Sequence, residues 1–567
     1  MMSGLDRPAS TDPGALEGAT ARPRMLCAWV LVSALAIVVI YLGTIGSYPF
    51  ADPDEPRYAE IPREMLELGD WITPHLNYVK YFEKPPLVYW LTALSFKVFG
   101  IHEWTARVWP AVFGLVGIVM AFVLGRAMFD VWTGCAAAAL LAAAPFYFGL
   151  SQIVILDAPV SGLITVMLGC VWLAYSGEHR RLFTVLAYAA MGLAVLTKGP
   201  MALLLPGAIV VVFLVLQRNL GALRWLCSPL GMLVLVAIAL PWFLVVSVRN
   251  PEFVSFFIVK QHFDRFFRPD EHQQPLWFFV PIVLGGWLPW SAFVFLAPRA
   301  IARFLRQAMR LRLPPAVLYC VIWSAVIFGF FSLSGSKLGT YVLPMFCPMA
   351  ILLACFFRSV IDRNDTPVLV RGCIAVLVLG VSAVVAAAVA PFVVSDAQVG
   401  QVVPSIFAAG AVLVLTATGA LVAIRRRNLQ VAFATLLMGV LAFQGVAFTA
   451  RRVATQYRTL GMTIRRLAQP QDQVVSYRQY VIGVNFYAQH RVILTGGRGE
   501  LSFGSLQGDH HEFFWDGDDP LVQAWSAPRH MFLVINRADL EVLKGRLRPA
   551  PREVAAQNKK VVVVNFD

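Results

Sequence analysis

Charge is scarce in this 567-residue chain: Asp, Glu, Lys and Arg make up 14% of it, against roughly 25% in an average soluble domain. A water-soluble globule is thereby excluded. With 58% apolar residues a largely disordered chain is excluded as well, because such a chain would not stay solvated. The eight cysteines include no C-x-x-C pair and no Cys/His cluster, so neither a disulfide framework nor a structural zinc site is readable. Cys27 opens the first apolar run, and the other seven lie in or at the ends of later ones, as small hydrophobes do. G-x-x-x-x-G-K-[ST] and G-x-G-x-x-G are both missing, which argues against an ATP- or NAD-driven machine. No nucleic-acid partner is expected.

What is present is apolar sequence of membrane-spanning length, with a mean hydropathy of +0.68. The first run extends from Leu26 to about Gly46, too long for a signal-peptide core and read as an uncleaved anchor. Twelve more follow at about 105–128, 133–149, 151–176, 182–197, 200–216, 226–248, 276–297, 314–333, 340–357, 369–393, 402–424 and 429–449. The stretch 85–100 is ambiguous, and charge resolves it. If it does not span and the N-terminus is cytoplasmic, the inner loops beyond residue 104 hold sixteen basic residues and the outer loops six. If it spans, the counts swap sides, against the positive-inside rule. Residues 85–100 are therefore expected to lie as an interfacial helix on the outer leaflet.

The expected architecture is mostly α: a polytopic membrane protein with about 13 transmembrane helices, outer interfacial helices and a small outer α/β domain. Residues 1–24 read as a disordered cytoplasmic tail, 25–449 as a transmembrane catalytic domain with outer loops 48–104 and 248–275, and 450–567 as the outer domain. That last segment carries β-like runs at Val474–Tyr477, Arg491–Thr495, Met531–Asn536 and Lys560–Phe566. The net charge of +14 is mostly positive-inside arginine and says little about substrate.

The informative charges lie outside or at the membrane edge, where they are costly. The first outer loop opens Asp52-Pro-Asp54-Glu55-Pro56-Arg57-Tyr58-Ala-Glu60. A helix start explains one carboxylate by capping. Three carboxylates beside Arg57 at the mouth of a membrane cavity also suit a general base or a holder of a cationic substrate. Tyr81-Phe82-Glu83-Lys84-Pro85-Pro86 precedes the interfacial helix. There Lys84 either snorkels or serves a lipid phosphate, oriented by Glu83. Asp157 reads as about six residues inside the run 151–176, roughly 9 Å deep at the helical rise. Arg265 and Arg268 alternate with aromatics in the second long outer loop, an arrangement that reads phosphates or forms an interfacial belt. His262 of that loop could ligate a metal with Glu83. Lys198, Lys337 and Tyr341 complete a cationic ring on one side of the membrane, suited to an anionic lipid headgroup.

The Asp54-Glu-Pro-Arg-Tyr-Ala-Glu60 run, Phe82-Glu83-Lys84-Pro85-Pro86, Leu156-Asp157-Ala158-Pro159 and Ser336-Lys337-Leu338-x-x-Tyr341 resemble motifs of a known superfamily. It comprises the multi-spanning, lipid-dependent (GT-C) glycosyltransferases related to protein O-mannosyltransferases. Within it, the chain most resembles the bacterial transferases that place 4-amino-4-deoxy-L-arabinose on lipid A. The resemblance implies an undecaprenyl phosphate-aminoarabinose donor, a lipid A phosphate acceptor, and an inverting reaction at the periplasmic side of the inner membrane. It also implies a product of lower affinity for polymyxin and other cationic antimicrobial peptides. Asp54 would be the catalytic carboxylate. Arg57, Tyr58, Tyr81, Glu83, Lys84, Asp157 and Tyr341 would line the donor and acceptor cavity. No cofactor is firmly implied; a divalent metal at Glu83 and His262 is left open. A related enzyme with a protein or other lipid acceptor is the alternative. A flippase would be expected to show paired inverted repeats and interrupted helices in matching halves, and no such symmetry is readable.

Overall fold

The computed structural model describes residues 31–177, 179–257, 261, 273–310, 313–393, 397–449 and 456–566. The chain is a multi-pass membrane protein. Among the described residues nine helices are long and apolar enough to cross a membrane, or ten if the pair Val131–Ala142 and Pro145–Ser151, bent by 65°, counts as one span. The thirteen apolar runs are helical over most of their described length, but several are shorter or broken. The first run is helical over Leu31–Gly43, and Met201–Leu216 has 16 residues. The run at 276–297 divides into Phe279–Gly286 and Trp290–Phe295, because Pro289 has no N–H to continue the ladder. Its interrupted backbone is satisfied locally: Ser291 Oγ donates to the Leu284 carbonyl at 2.8 Å. The stretch 85–100 forms a 13-residue helix, Leu87–Phe99, roughly 20 Å at the usual rise and so too short to span.

One expectation is corrected. Asp157 is not six residues deep in a span: Gln152–Leu156 leaves the helical path, and Asp157 is the first residue of the helix Asp157–Ser176. Its carboxylate sits at the positive end of that helix instead of more than a turn inside it.

The first long loop, outer in the expected topology, is ordered by a buried ion pair. Its helix, Asp54–Leu68, ends at Gly69 with φ +67°, a left-handed stop suited to glycine. Glu55 and Arg107 are both essentially inaccessible. Arg107 Nε and Nη2 donate to the two Glu55 oxygens at 2.8 and 3.0 Å. Its remaining donors reach the carbonyls of Ile45, Tyr48 and Pro49 at 2.7–3.1 Å. The loop helix is thus fastened both to the span Glu103–Met128 and to the chain leaving the first span.

A short hairpin follows, β1 (His75–Leu76) and β2 (Val79–Lys80). The outer domain is built on a six-stranded sheet of β3 (Gln473–Tyr477), β4 (Val492–Thr495), β5 (Phe514–Trp515), β6 (Met531–Asn536), β7 (Arg552–Gln557) and β8 (Lys560–Val564). Their order is β5-β4-β3-β6-β8-β7. The β5-β4-β3-β6 part is parallel, whereas β8 pairs antiparallel with β6 and β7. Alternation along the strands separates two cores. Val474, Phe532, Val534, Val562 and Val564 face one way and pack with Ile61, Met65, Leu76 and Val79 of the first loop. Val475, Leu533, Ile535 and Val563 face the other way, onto Leu521, Trp525 and Leu540. β7 is half exposed, opens with Arg552 and Glu553, and carries a bulge between Glu553 and Ala555.

Truncating one partner of a buried ion pair strands the other charge. Arg107→Ala is therefore expected to lower stability by about 3–5 kcal/mol, measured by thermal unfolding of the protein in detergent. Loss of less than about 1 kcal/mol, as for a surface pair, would refute this account of the loop.

Candidate functional site

An open cleft of about 970 Å³, its solvent-filled mouth included, lies where the long loops meet the membrane helices. Its polar wall carries Glu83 and Lys84 of the first loop, Asp157 at the start of one helix, Lys198 at the end of another, Gln261, Ser334, Ser336 and Tyr341. Its apolar wall carries Val160, Ile164, Met201, Ala202, Leu205, Phe330 and Phe331. Residues from segments more than 250 positions apart meet here. Helix boundaries place them: Gly199, with φ +84°, stops the helix Arg180–Lys198 so that Lys198 stands at its mouth.

Within the cleft Lys198 Nζ donates to Asp157 Oδ1 at 2.6 Å and lies 4.9 Å from the Tyr341 ring centre. Lys84 Nζ donates to the Glu83 backbone carbonyl at 3.1 Å, not to its carboxylate. Lys337 points elsewhere: its buried ammonium donates to the Ser334 and Gln274 carbonyls at 2.6 and 2.9 Å. It braces the turn instead of lining the cleft.

Asp54, Arg57, Tyr58 and Tyr81 form an adjoining group. Asp54 is exposed and accepts from Arg57 Nη1 at 2.9 Å. Arg57 Nε also pairs with Glu500 of the outer domain at 2.5 Å, and the Tyr81 hydroxyl donates to Glu500 at 3.3 Å. Burial pushes the Glu500 carboxyl up, with Arg57 opposing. Burial likewise raises the Tyr58 and Tyr81 hydroxyls well above their ordinary range, so both stay protonated donors. Tyr58 lies within electrostatic reach of Asp54, Glu83 and Asp157 together, which places it between this group and the cleft. His262, Arg265 and Arg268 lie outside the described residues. Among the described residues no three His, Cys, Asp or Glu side chains gather to hold a metal ion.

Two features escaped the sequence reading. Glu500 stands in a glycine-rich turn of the last segment and gives no local signal. Arg107 does give one, a lone arginine inside an apolar run; its partner Glu55 reads from the sequence as a helix cap or one of the loop's functional carboxylates, not as half of a buried ion pair. The outer domain is held to the loop by Asn485 to Glu60 at 2.6 Å, Asn77 to Val492 at 2.8 Å, and the Gly483 N–H to Asp52 Oδ1 at 2.7 Å. At Gly504 a Cβ would lie 2.3 Å from the Lys80 carbonyl, so the approach of the outer domain to the hairpin needs glycine there.

Two parts of the chain match known family models. Residues 83–248 match the family model described as dolichyl-phosphate-mannose-protein mannosyltransferase, and residues 460–565 match that of the aminoarabinose transferase C-terminal domain. The chain is 34% identical over 330 residues to an undecaprenyl phosphate-alpha-4-amino-4-deoxy-L-arabinose arabinosyl transferase of Pseudomonas paraeruginosa, covering 57% of this chain and 58% of that protein. It is 31% identical over 376 residues to the protein of that name from Edwardsiella ictaluri, covering 65% and 66%. The matches thus span somewhat under two thirds of these relatives. The crystal structure of ArnT from Cupriavidus metallidurans bound to undecaprenyl phosphate superposes with a TM-score of 0.85 at 29% identity, over 95% of this chain and 98% of that one.

Asp52 offers a test of the docking of the outer domain. Burial raises its carboxyl from 3.8 to about 6, with the Gly483 N–H opposing. A raised carboxyl favours the protonated folded state, so this contribution is complete below about pH 4 and is lost as pH rises through 6. Asp52→Asn keeps an acceptor for Gly483 and removes the charge. It should raise stability at pH 7.5 by about 1–2 kcal/mol, a gain that vanishes near pH 4 when melting is followed across that range.

Proposed function

We propose that this chain, a homologue of the undecaprenyl phosphate-aminoarabinose arabinosyl transferases, moves 4-amino-4-deoxy-L-arabinose from undecaprenyl phosphate to a phosphate of lipid A. The cleft would face the periplasm across the bacterial inner membrane, and the product would bind polymyxin and other cationic peptides less well. The observation that carries the reading is the amphipathic cleft: Lys84 and Lys198 on a polar wall above Val160, Ile164 and Leu205. A phosphate with a prenyl tail has that division of chemistry.

In this reading the bond from the anomeric carbon to the donor phosphate oxygen breaks, and its electron pair leaves on the polyprenyl phosphate. Lys84 and Lys198 hold that charge where it develops, so no acid need protonate the leaving group. A phosphate oxygen of the acceptor forms the new bond from the opposite face, inverting the centre. That oxygen is already anionic near neutral pH, so abstraction of a proton by a base is not required. Asp54, tied to Arg57 and exposed, then has a positioning role toward the acceptor. Asp157 holds Lys198 in place from a helix N-terminus.

The test is to incubate the purified protein with the lipid-linked aminosugar and lipid A, and to look for the pentosamine mass increment on lipid A. Lys84→Ala is expected to lower kcat about 10²–10³-fold, while the protein elutes and melts as the wild type does. Transfer to a protein instead of lipid A would replace the acceptor assignment. Absence of any transfer would remove the enzyme reading.

A further inference from the structure

The cleft wall sets lysine beside carboxylate: Lys84 next to Glu83, and Lys198 bonded to Asp157. Next to it, Asp54 and Glu500 both pair with the Arg57 guanidinium, and Glu83 lies within electrostatic reach of Glu500. Glu83 has no ion-pair partner among the described residues, although its side chain is only partly exposed. Three tyrosines enclose this acidic group. Tyr58 and Tyr89 stack at 6.3 Å between ring centres, and Tyr81 reaches Glu500. The Tyr89 hydroxyl, on a side chain with no exposure, has no hydrogen-bond partner. It lies within electrostatic reach of Tyr58, Glu83, Arg57 and Glu500. A buried hydroxyl left unmade is costly.

We infer that Glu500, brought in by the outer domain, together with Glu83 and the Tyr89 hydroxyl, forms a subsite for the ammonium group of the transferred sugar and sets the preference for an aminosugar. This deepens the function proposed above and rests on it. Surplus carboxylate supplies the attraction, and Tyr89 supplies an acceptor oxygen. Phosphate and ammonium of one donor would then each have their own charged partners, which fixes the orientation of the sugar between them. The inference also gives the outer domain a share in the chemistry, since Glu500 is the acidic group it contributes there.

The experiment compares two donors on the same lipid phosphate: 4-amino-4-deoxy-L-arabinose, and arabinose with a hydroxyl in place of the ammonium. The wild type should favour the aminosugar in kcat/KM by roughly 10²-fold or more. Glu500→Gln should shrink that ratio at least tenfold, chiefly through KM for the aminosugar, with a smaller loss for arabinose. Tyr89→Phe, which keeps the buried ring, should move the ratio the same way by a few-fold and serves if Glu500→Gln does not fold. Equal losses with both donors would reduce Glu500 to a brace for Arg57 and overturn the inference, and an unchanged ratio in both variants would do the same. A wild type that transfers neither sugar is a separate outcome that overturns the functional reading itself.

Discussion

The arrangement depends on one guanidinium inside the membrane edge. Arg107 is inaccessible to solvent, and each of its donors is directed at a carboxylate or carbonyl of the first outer loop and the chain leading into it. Glu55 is shared further, accepting the N–H groups of Val154 and Ala51 at 3.1 and 3.0 Å. One ion pair therefore sets the position of the loop helix, the end of the first span and the approach to Asp157. A charge pair in such surroundings is tolerable only because every lone pair and proton is used. The same completeness makes the geometry unforgiving, and the cleft inherits that rigidity.

The membrane body was legible because hydropathy and arginine bias are one-dimensional signals. The non-spanning character of 85–100 followed from the charge count, and the structure gives a short helix there. Asp157 reads as lying inside a helix because a continuous apolar run conceals a break: Gln152–Leu156 is nearly as apolar as a span but does not continue the helix. In the outer domain the runs rich in Val and Ile were readable as strands. β7 (Arg-Glu-Val-Ala-Ala-Gln) and the two-residue β5 were not, since neither carries an apolar alternation. The cleft residues Glu83, Lys84, Asp157, Lys198 and Tyr341 had each been singled out from the sequence, and the structure brings them to one wall. Lys337 carried the same signal, but its turn directs the ammonium to two carbonyls. Glu500 could not be found in this way, because its meaning comes from a contact across more than 400 residues.

The sheet explains how so distant a residue reaches the site. Its inner face shares a core with the first-loop helix and hairpin, so the outer domain is packed into the membrane body by apolar contact, with polar contacts such as Asn485–Glu60 setting the register. Phe503 stacks on Phe256 at 4.0 Å and lies 6.1 Å from Phe82, holding the turn that bears Glu500 against both outer loops. The outer face has its own core of helices and owes nothing to the membrane. The two-faced sheet thus couples an autonomous fold to a composite pocket.

The far edge of that sheet bears on how the molecule behaves in company. In a densely populated bilayer many copies present their outer domains at one height, so side-by-side strand pairing between neighbours is a standing hazard. β7 occupies that margin with Arg552 and Glu553 at its start, the latter ion-paired to Arg537 at 2.9 Å, and a bulge in the strand. A kinked, charged border offers no flat template for another chain, and crowding alone should not zip these domains into ribbons.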